Sequence, residues 1–408
     1  LAPSEKSPEV VASIPSDFGG EPGVSGDADA GPGTYAPLEW WTVFGDDSLN
    51  QLIDSALVAN LDLVAAVGRV EEARAQLRAT RGAMFPAVSA SGDVSLQDTP
   101  LNTGAFSIFG GGADSTGGAS SVARANTTTY SASLGFSYEF DFWGRIRNDT
   151  RAALNDAMST EADLETARLG VIGETIATYF EIVDLRQRIS LAVETLDVLS
   201  ERVALTEERY DRGLATSFEL YQIRLDYRNT QASLPDLESQ LTDADARLAV
   251  LLGVYPGQLE SFLATEFAPA VTFEPIPVGL PADLLVQRPD VRAAALRFDA
   301  ARYRVGARRA ELFPSISLTG SIGTQSGDIG ELFNTVDQWA MNLVAGLTAP
   351  LFQGGRLRAS VAAAQAQYKQ LGATYAKTVL TAYKEAYVAL NQYDEQQQRY
   401  EFFLAQVD

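Results

Sequence analysis

Phe85-Pro86-Ala87-Val88-Ser89-Ala90-Ser91-Gly92 returns 228 residues later as Phe313-Pro314-Ser315-Ile316-Ser317-Leu318-Thr319-Gly320. A second echo links Trp143-Gly144-Arg145-Ile146-Arg147 to Gly354-Gly355-Arg356-Leu357-Arg358, at an offset of 211. Around both echoes the pattern reads as long helix, strand, loop, strand, long helix. A unit that occurs twice in this way points to a symmetric assembly rather than to one catalytic pocket. The chain of 408 residues therefore divides into an extended N-terminal arm at 1–45, a first repeat at 46–253, a connector at 254–282 and a second repeat at 283–408, expected to be incomplete at its C-terminus.

Working outward from the echo, four segments alternate with period two. In 130–142, Tyr130, Ala132, Leu134, Phe136, Tyr138, Phe140 and Phe142 share one face, and Ser131, Ser133, Gly135, Ser137, Glu139 and Asp141 share the other. In 88–97, Val88, Ala90, Val94 and Leu96 oppose Ser89, Ser91, Asp93, Ser95 and Gln97. Ile316, Leu318 and Ile322 oppose Ser315, Ser317, Thr319 and Ser321. Trp339, Met341, Leu343, Ala345 and Leu347 oppose Asn342, Gly346 and Thr348, with Val344 breaking the polar row. Strands of about ten residues, apolar on one side and small-polar on the other, fit a membrane barrel with a wet lumen. For one strand alone, a soluble sandwich or hairpin with the same alternation is the better reading. Four matched strands, each joined to a very long helix, favour the barrel. The loop at 98–127 is rich in Gly, Ser and Thr, and its counterpart at 324–338 is shorter. Long hairpin loops suit an outer face.

Helical periodicity opens at Asp47-Ser48 and runs to about Met84, where Pro86 stops it. No proline occurs between Gly144 and Gly213. There Leu185, Ile189, Ala192, Leu196, Leu199 and Val203 step by fours and threes, and Leu220, Ile223, Tyr227, Thr230, Leu234, Leu237, Leu241, Ala244, Leu248 and Leu251 continue the rhythm beyond Gly213. Such a rhythm imposes coiled-coil packing. A helix over 144–213 spans on the order of 100 Å. Pro235 predicts a bend or break in the second coiled stretch. Residues 254–282 hold five prolines and a short strand-like piece near Val271–Phe273, and the next helix opens around Pro281-Ala282-Asp283 and runs to about Leu312.

Composition removes whole classes of function. With no histidine and no cysteine, neither a disulfide nor a His- or Cys-ligated metal can form, and Cys-His and Ser-His nucleophiles are excluded. A formal charge of −22 opposes nucleic-acid binding. It either favours cations in a pore or serves solubility. No run of about 18 apolar residues marks a transmembrane helix. No catalytic, cofactor-binding or metal-binding constellation is present. Carboxylates such as Asp243 and Asp245 read as solvated helix surface.

Five motifs, in order, carry a resemblance over nearly the whole chain: Trp41-x-x-Phe44-x-Asp46-x-x-Leu49-x-x-Leu52; Ala56-Leu57-x-x-Asn60-x-Asp62-Leu63; Tyr210-x-x-Gly213-Leu214-Ala215-Thr216-x-x-Glu219; Arg288-Pro289-Asp290-Val291-Arg292; and Leu351-Phe352-x-Gly354-Gly355-Arg356. Together they resemble the TolC-like outer membrane factor family, most closely its OprM-like branch. The resemblance implies a mainly helical protein with a transmembrane β-barrel. It would be a homotrimer in which each chain gives four strands to a shared twelve-stranded barrel, continued by a long coiled-coil α-barrel in the periplasm. It further implies a passive exit duct for a tripartite efflux pump, set in outer membrane lipid and docking a periplasmic adaptor and an inner-membrane transporter of the RND type.

The same resemblance assigns roles to residues. Arg212, Gly213, Leu214, Ala215 and Thr216 form the helical tip that docks the adaptor, where the bland reading is a plain turn. Tyr210 and Glu219 are gate candidates, where the bland reading of Glu219 is a helix-start acid favoured by the dipole. Gly144, Arg145, Gly355 and Arg356 make the barrel-to-helix turns, with the arginines near headgroups or paired to acids such as Asp141. Tyr138, Phe140, Phe142, Trp143 and Trp339 suit an interfacial belt, and Trp40 and Trp41 would anchor the arm on the helices. Carrying Gly213 forward by 211 places a second tip near position 424, beyond Asp408, so the family's principal aspartate gate finds no residue here. Members of this branch carry a lipid-modified cysteine at the mature N-terminus. Leu1 is not cysteine, so that anchor is expected upstream or missing.

Two other readings stand beside this one. The outer component of a type I protein secretion system shares the architecture, with different cargo. A non-porous periplasmic coiled-coil scaffold shares the helices alone.

Overall fold

A computed structural model of the chain describes residues 2–3, 39–100, 124–258, 287–334 and 338–407. Residues 4–38 of the arm, the strand-like piece at 271–273 and the expected helix start at 281–283 lie outside the described residues. The chain forms two compact units. One is built from Arg74–Asp156 and Arg297–Gly372 together with the N-terminal residues, and the other from Ser7–Ala73, Ala157–Leu296 and Ala373–Asp408.

The first unit holds the sheet, with strands β1 (Ala87–Pro100), β2 (Arg124–Phe140), β3 (Ser315–Ser326) and β4 (Trp339–Thr348). They pair in sequence order, each antiparallel to the next. The expected loop at 98–127 is shorter than expected, because pairing runs out to Pro100 opposite Arg124. There Arg124 closes the ladder with an ion pair to Asp98 at 2.8 Å.

The register aligns the predicted apolar rows across all four strands. Val88, Phe136, Gly320 and Leu343 form one line, and Ala90, Leu134, Ile322 and Met341 the next. The other face carries Ser89, Gly135, Ser321 and Asn342, then Ser91, Ser133, Gly323 and Ala340. The repeat is also exact in geometry. The pair Ala87 and Ser137 opens the β1–β2 ladder. Moved by 228 and 211 it becomes Ser315 and Thr348, the pair that opens the β3–β4 ladder.

Six helices complete the described chain: α1 (Asp47–Ala59), α2 (Leu61–Gly82), α3 (Arg145–Asp211), α4 (Ser217–Leu251), α5 (Pro289–Ala310) and α6 (Arg356–Val407). The helix expected over 47–84 is two helices, bent by 43°. Asn60 makes the break. Its Oδ1 accepts from the N–H groups of Asp62 and Leu63, which caps α2, while its Nδ2 donates to the Leu251 carbonyl. Apolar periodicity runs on through this point, so the period alone does not reveal it.

Pro235 does not break α4, which runs continuously through it. Pro235 and Gln231 are both exposed, so water can satisfy the one carbonyl that loses its partner.

In the second unit every residue of both predicted rows is buried or half-buried. The core draws Ile182 and Leu185 of α3, Leu237, Ala244 and Leu248 of α4, and Leu49, Leu52 and Ile53 of α1 into one cluster. Trp41 is buried in it and Trp40 packs against it, which is the anchoring expected of this pair. Arg224 with Glu207 and Arg247 with Glu181 tie α3 to α4 outside the core.

In the sheet, a Cβ on Gly323 would lie 2.2 Å from the Ala132 carbonyl oxygen and 2.6 Å from the Ser133 Cα. Both are backbone atoms of the neighbouring strand, so no side-chain rotation relieves the clash. Gly323→Val is expected to abolish the folded, heat-modifiable form on a gel. A near-wild-type yield of that form would contradict the packing described here.

Candidate functional site in the sheet face and the helical tip

The sheet leaves its apolar face bare. Val88 is 73% exposed and Met341 67%, and Val94, Leu96, Leu134, Ile322, Leu343 and Leu347 are exposed with them. An apolar face of this extent in a soluble protein would be covered. Among the described residues no single helix is long and apolar enough to cross a membrane.

At the end of the sheet where β2 passes into α3, Gly144 has φ +78 and lets the chain turn. Asp141 then caps α3, accepting from the N–H groups of Ile146 and Arg147 and pairing with the Arg147 side chain. Asp141 is thus not the partner of Arg145. That guanidinium instead grips Glu139, through bonds of 3.2 and 2.7 Å, while Asp141 is taken up by the Ile146 and Arg147 N–H groups and the Arg147 side chain. Gly354 and Gly355 have φ +55 and +82 and open α6, where Arg356 bonds Gln353.

Trp143 stacks on Phe313 with ring centroids 4.7 Å apart and donates its indole N–H to the Pro314 carbonyl at 2.8 Å. Tyr138 packs edge-on to Phe140, which leans on Phe142. Trp339 is exposed at the far end of β4. Just inside the first helical turns, burial pushes the Asp149 and Asp156 carboxyls up, against the pull of Arg308 and Arg145 on the first and of Arg304 on the second.

The second unit carries the tip. Gly213 has φ +72, the left-handed conformation that ends a helix. The Leu214 N–H bonds the Arg209 carbonyl at 2.8 Å and the Gly213 N–H bonds the Tyr210 carbonyl at 2.9 Å. This pair closes the helix end as a Schellman turn. Thr216 then caps α4, its hydroxyl accepting from the Glu219 N–H. Glu219 sits in the first turn of α4, where the helix dipole favours an acid. Arg212 is held by Glu208. Leu214 is 67% exposed, Tyr210 is exposed and Ala215 is half-buried.

The turn thus brings the seven predicted tip and gate residues together. It also shows what the sequence reading passed over. Phe218 is 72% exposed, and Tyr221 and Leu225 are exposed with it. Leu214, Phe218, Tyr221 and Leu225 step by four, three and four, a second apolar stripe off the buried row. On α3, Leu191, Val198 and Leu205 repeat every seven residues and are also exposed. The spacing was visible in the sequence; that nothing among the described residues covers it was not.

Two polar anchors in the second unit lay beyond sequence reasoning. Tyr179, buried on α3, donates its hydroxyl to Asp46, whose other oxygen caps α1 through the N–H groups of Ser48 and Leu49. Arg288 bonds Asp290 and crosses to Glu385 on α6. Burial works to raise the Asp290 carboxyl, but Arg288 and the Val291 N–H hold it below its ordinary value.

A meander of four strands with one bare apolar face and one small-polar face, each strand continuous with a long amphipathic helix, defines a channel protein of outer membranes. The chain matches the family model described as outer membrane efflux protein over residues 52–254 and 280–408, and it belongs to that family. It is 33% identical over 352 residues to the pyoverdine export outer membrane protein OpmQ of Pseudomonas putida, a match covering 86% of this chain and 72% of the relative. It is 30% identical over 357 residues to the cation efflux system protein CusC of Escherichia coli K12, covering 87% of this chain and 73% of the relative. Its fold resembles the Campylobacter jejuni CmeC outer membrane channel, with a TM-score of 0.81, 25% identity and coverage of 99% of this chain and 84% of that one. The protein is accordingly an efflux channel of the Gram-negative outer membrane.

Burial, then the hydrogen bond and charge of Asp46, push the Tyr179 phenol above its ordinary range. The folded chain therefore keeps this proton longer than the unfolded chain does. Its contribution is complete below the unfolded phenol value, about 10, and is lost as pH rises from there through the folded value. Tyr179→Phe is expected to cost roughly 1.5–3 kcal/mol at neutral pH, as a hydrogen bond to a charged group does, and to flatten the stability loss above about pH 10. Denaturant melts monitored by helical circular dichroism check both. An unchanged alkaline profile would remove Tyr179 from this role.

Proposed function

We propose that this protein is the passive exit duct of a tripartite efflux pump. Three copies complete a twelve-stranded barrel, with apolar faces in lipid and small-polar faces lining a wet lumen, and their helices continue as an α-barrel in the periplasm. Residues 46–253 and 283–408 supply two related staves joined by the connector at 254–282. The observation that carries this reading is the four-stranded sheet itself, bare on its apolar face and unpaired at the outer edges of β1 and β4. The exposed second stripes on α3 and α4 support it, since an amphipathic row repeating at coiled-coil spacing needs a partner helix.

In this reading the tip docks a periplasmic adaptor through Leu214, Ala215 and Thr216, with Arg212 at the rim and Gly213 holding the turn. Tyr210 and Glu219 take part in closing the passage. An RND-type transporter in the inner membrane supplies energy and cargo. The named relatives export cargo as different as pyoverdine and cations, which suits a conduit whose wall performs no chemistry. Those names also favour efflux over type I secretion. The bare sheet disfavours a non-porous scaffold.

Purified full-length protein in a planar bilayer is expected to conduct ions. Silence at every voltage and pH tried would defeat the reading. Leu214→Glu is expected to leave the outer-membrane form intact while dye accumulation rises in cells that have this protein as their sole efflux channel. Unaltered efflux in that variant would free the tip from adaptor docking.

A further inference from the structure

We propose that neighbouring copies join β4 to β1 in one fixed register, with Leu347 opposite Gly92 of the partner subunit. This rests on the ring-shaped reading above and adds to it the residue-by-residue joint, which the repeat supplies. The β1–β2 ladder maps onto the β3–β4 ladder without slip under the two offsets, so β1 is equivalent to β3 and β2 to β4. A closed ring of such strands contains two kinds of remaining joint. One is β2 to β3 inside a chain, and the other is β4 to β1 between chains. Equivalence passes the register of the first to the second.

The pairs follow directly. Phe136 with Gly320 becomes Leu347 with the partner's Gly92. Leu134 with Ile322 becomes Ala345 with the partner's Val94. Ala132 with Thr324 becomes Leu343 with the partner's Leu96. On the other face, Ser133 with Gly323 becomes Val344 with the partner's Ser95, and Ser131 with Gln325 becomes Asn342 with the partner's Gln97.

An independent feature agrees with this assignment. The apolar row of β4, Trp339, Met341, Leu343, Ala345 and Leu347, falls on the same face as the apolar row of β1. A slip of one residue would send each row to the opposite face. Val344, which breaks the polar row of β4, then faces a small hydroxyl residue on the partner rather than a charged one.

The same mapping shows that the joint between copies is plainer than the joint within a chain. The Trp143 position becomes Gly354 and the Phe313 position becomes the partner's Phe85, so the stacked pair and its indole hydrogen bond have no counterpart. Phe85 is 70% exposed. The Glu139 position becomes Pro350, which has no N–H to give, so the paired stretch ends near Thr348. Backbone bonds from Met341 to Thr348, with Leu343 against the partner's Leu96, hold the copies together here.

The chain has no cysteine, so engineered thiols report without background. Residues directly opposite across an antiparallel pair have Cβ atoms about 4.5–5.5 Å apart, and diagonal neighbours about 7–8 Å. A disulfide spans only the first of these. The matched double variants are Asn342→Cys with Gln97→Cys, and Val344→Cys with Ser95→Cys. The crossed variants are Asn342→Cys with Ser95→Cys, and Val344→Cys with Gln97→Cys.

Each full-length protein is extracted in detergent, sized by sedimentation, oxidised and run on a denaturing gel. Matched variants are expected to shift from monomer to covalent trimer, and crossed variants to remain monomers. Cross-linking of the crossed set in place of the matched set would overturn the register. So would sedimenting trimers that cross-link in neither set. Monomers throughout, wild type included, would instead defeat the ring on which the register rests.

Discussion

A β-strand carries its hydrogen-bonding groups along its edges, and hydrocarbon offers nothing to bond them. Each group left unpaired in lipid costs several kcal/mol. The four strands of this chain satisfy one another through three ladders and leave two edges, on β1 and β4. One copy therefore has a surface suited to lipid and a backbone unfit for it. In the proposed ring, closure by further copies removes that conflict without changing a side chain. The flanking helices face a milder form of the same demand, since their uncovered stripes also ask for neighbours.

This constraint explains why so much was legible in the sequence. A strand wall between lipid and water must alternate, and the expected strand over 339–348 matches the observed Trp339–Thr348. A coiled seam must keep its rhythm, and the row from Leu220 to Leu251 is buried or half-buried along its length. Gly213 was readable because few residues other than glycine accept its backbone conformation. What stayed hidden depended on partners distant in the chain. Asn60 breaks a helix because it reaches Leu251, 191 residues away. Tyr179 finds Asp46 across 133, and Trp143 finds Pro314 across 171. None of these contacts leaves a period behind. Pro235 misled for the opposite reason: the local rule is sound, but an exposed helix face lets water repair the one bond it removes.

The two repeats solve the same geometric problems with different residues. Asn60 and Arg288 are separated by the strand offset of 228 and stand at the start of equivalent helices. Each reaches across to another helix, Asn60 to a backbone carbonyl and Arg288 to the Glu385 carboxylate. The neutral amide suits a buried position, since Asn60 is 3% exposed and a charge there would lose its water. Arg288 is partly solvated and keeps its charge by sharing it between Asp290 and Glu385. Burial decided which chemistry each copy could adopt.

The same divergence at the strand-to-helix turns has a consequence for assembly. Within a chain, Trp143 fastens β2 beside β3 through its stack on Phe313 and its bond to the Pro314 carbonyl. Those two strands are far apart in sequence, so their pairing carries a large loop-closure cost. Side-chain fastening there offsets that cost in the single chain. In the proposed ring the equivalent positions between chains are Gly354 and Phe85, which form no such stack. The edges are thus left able to pair through backbone alone, which favours a chain that folds its own sheet first and meets its neighbours second. An edge fastened by large side chains would have to exclude lipid around each of them before any ladder could form. A plain edge lets the ladder itself do the joining, and the backbone demand with which the sheet begins is then met where the copies meet.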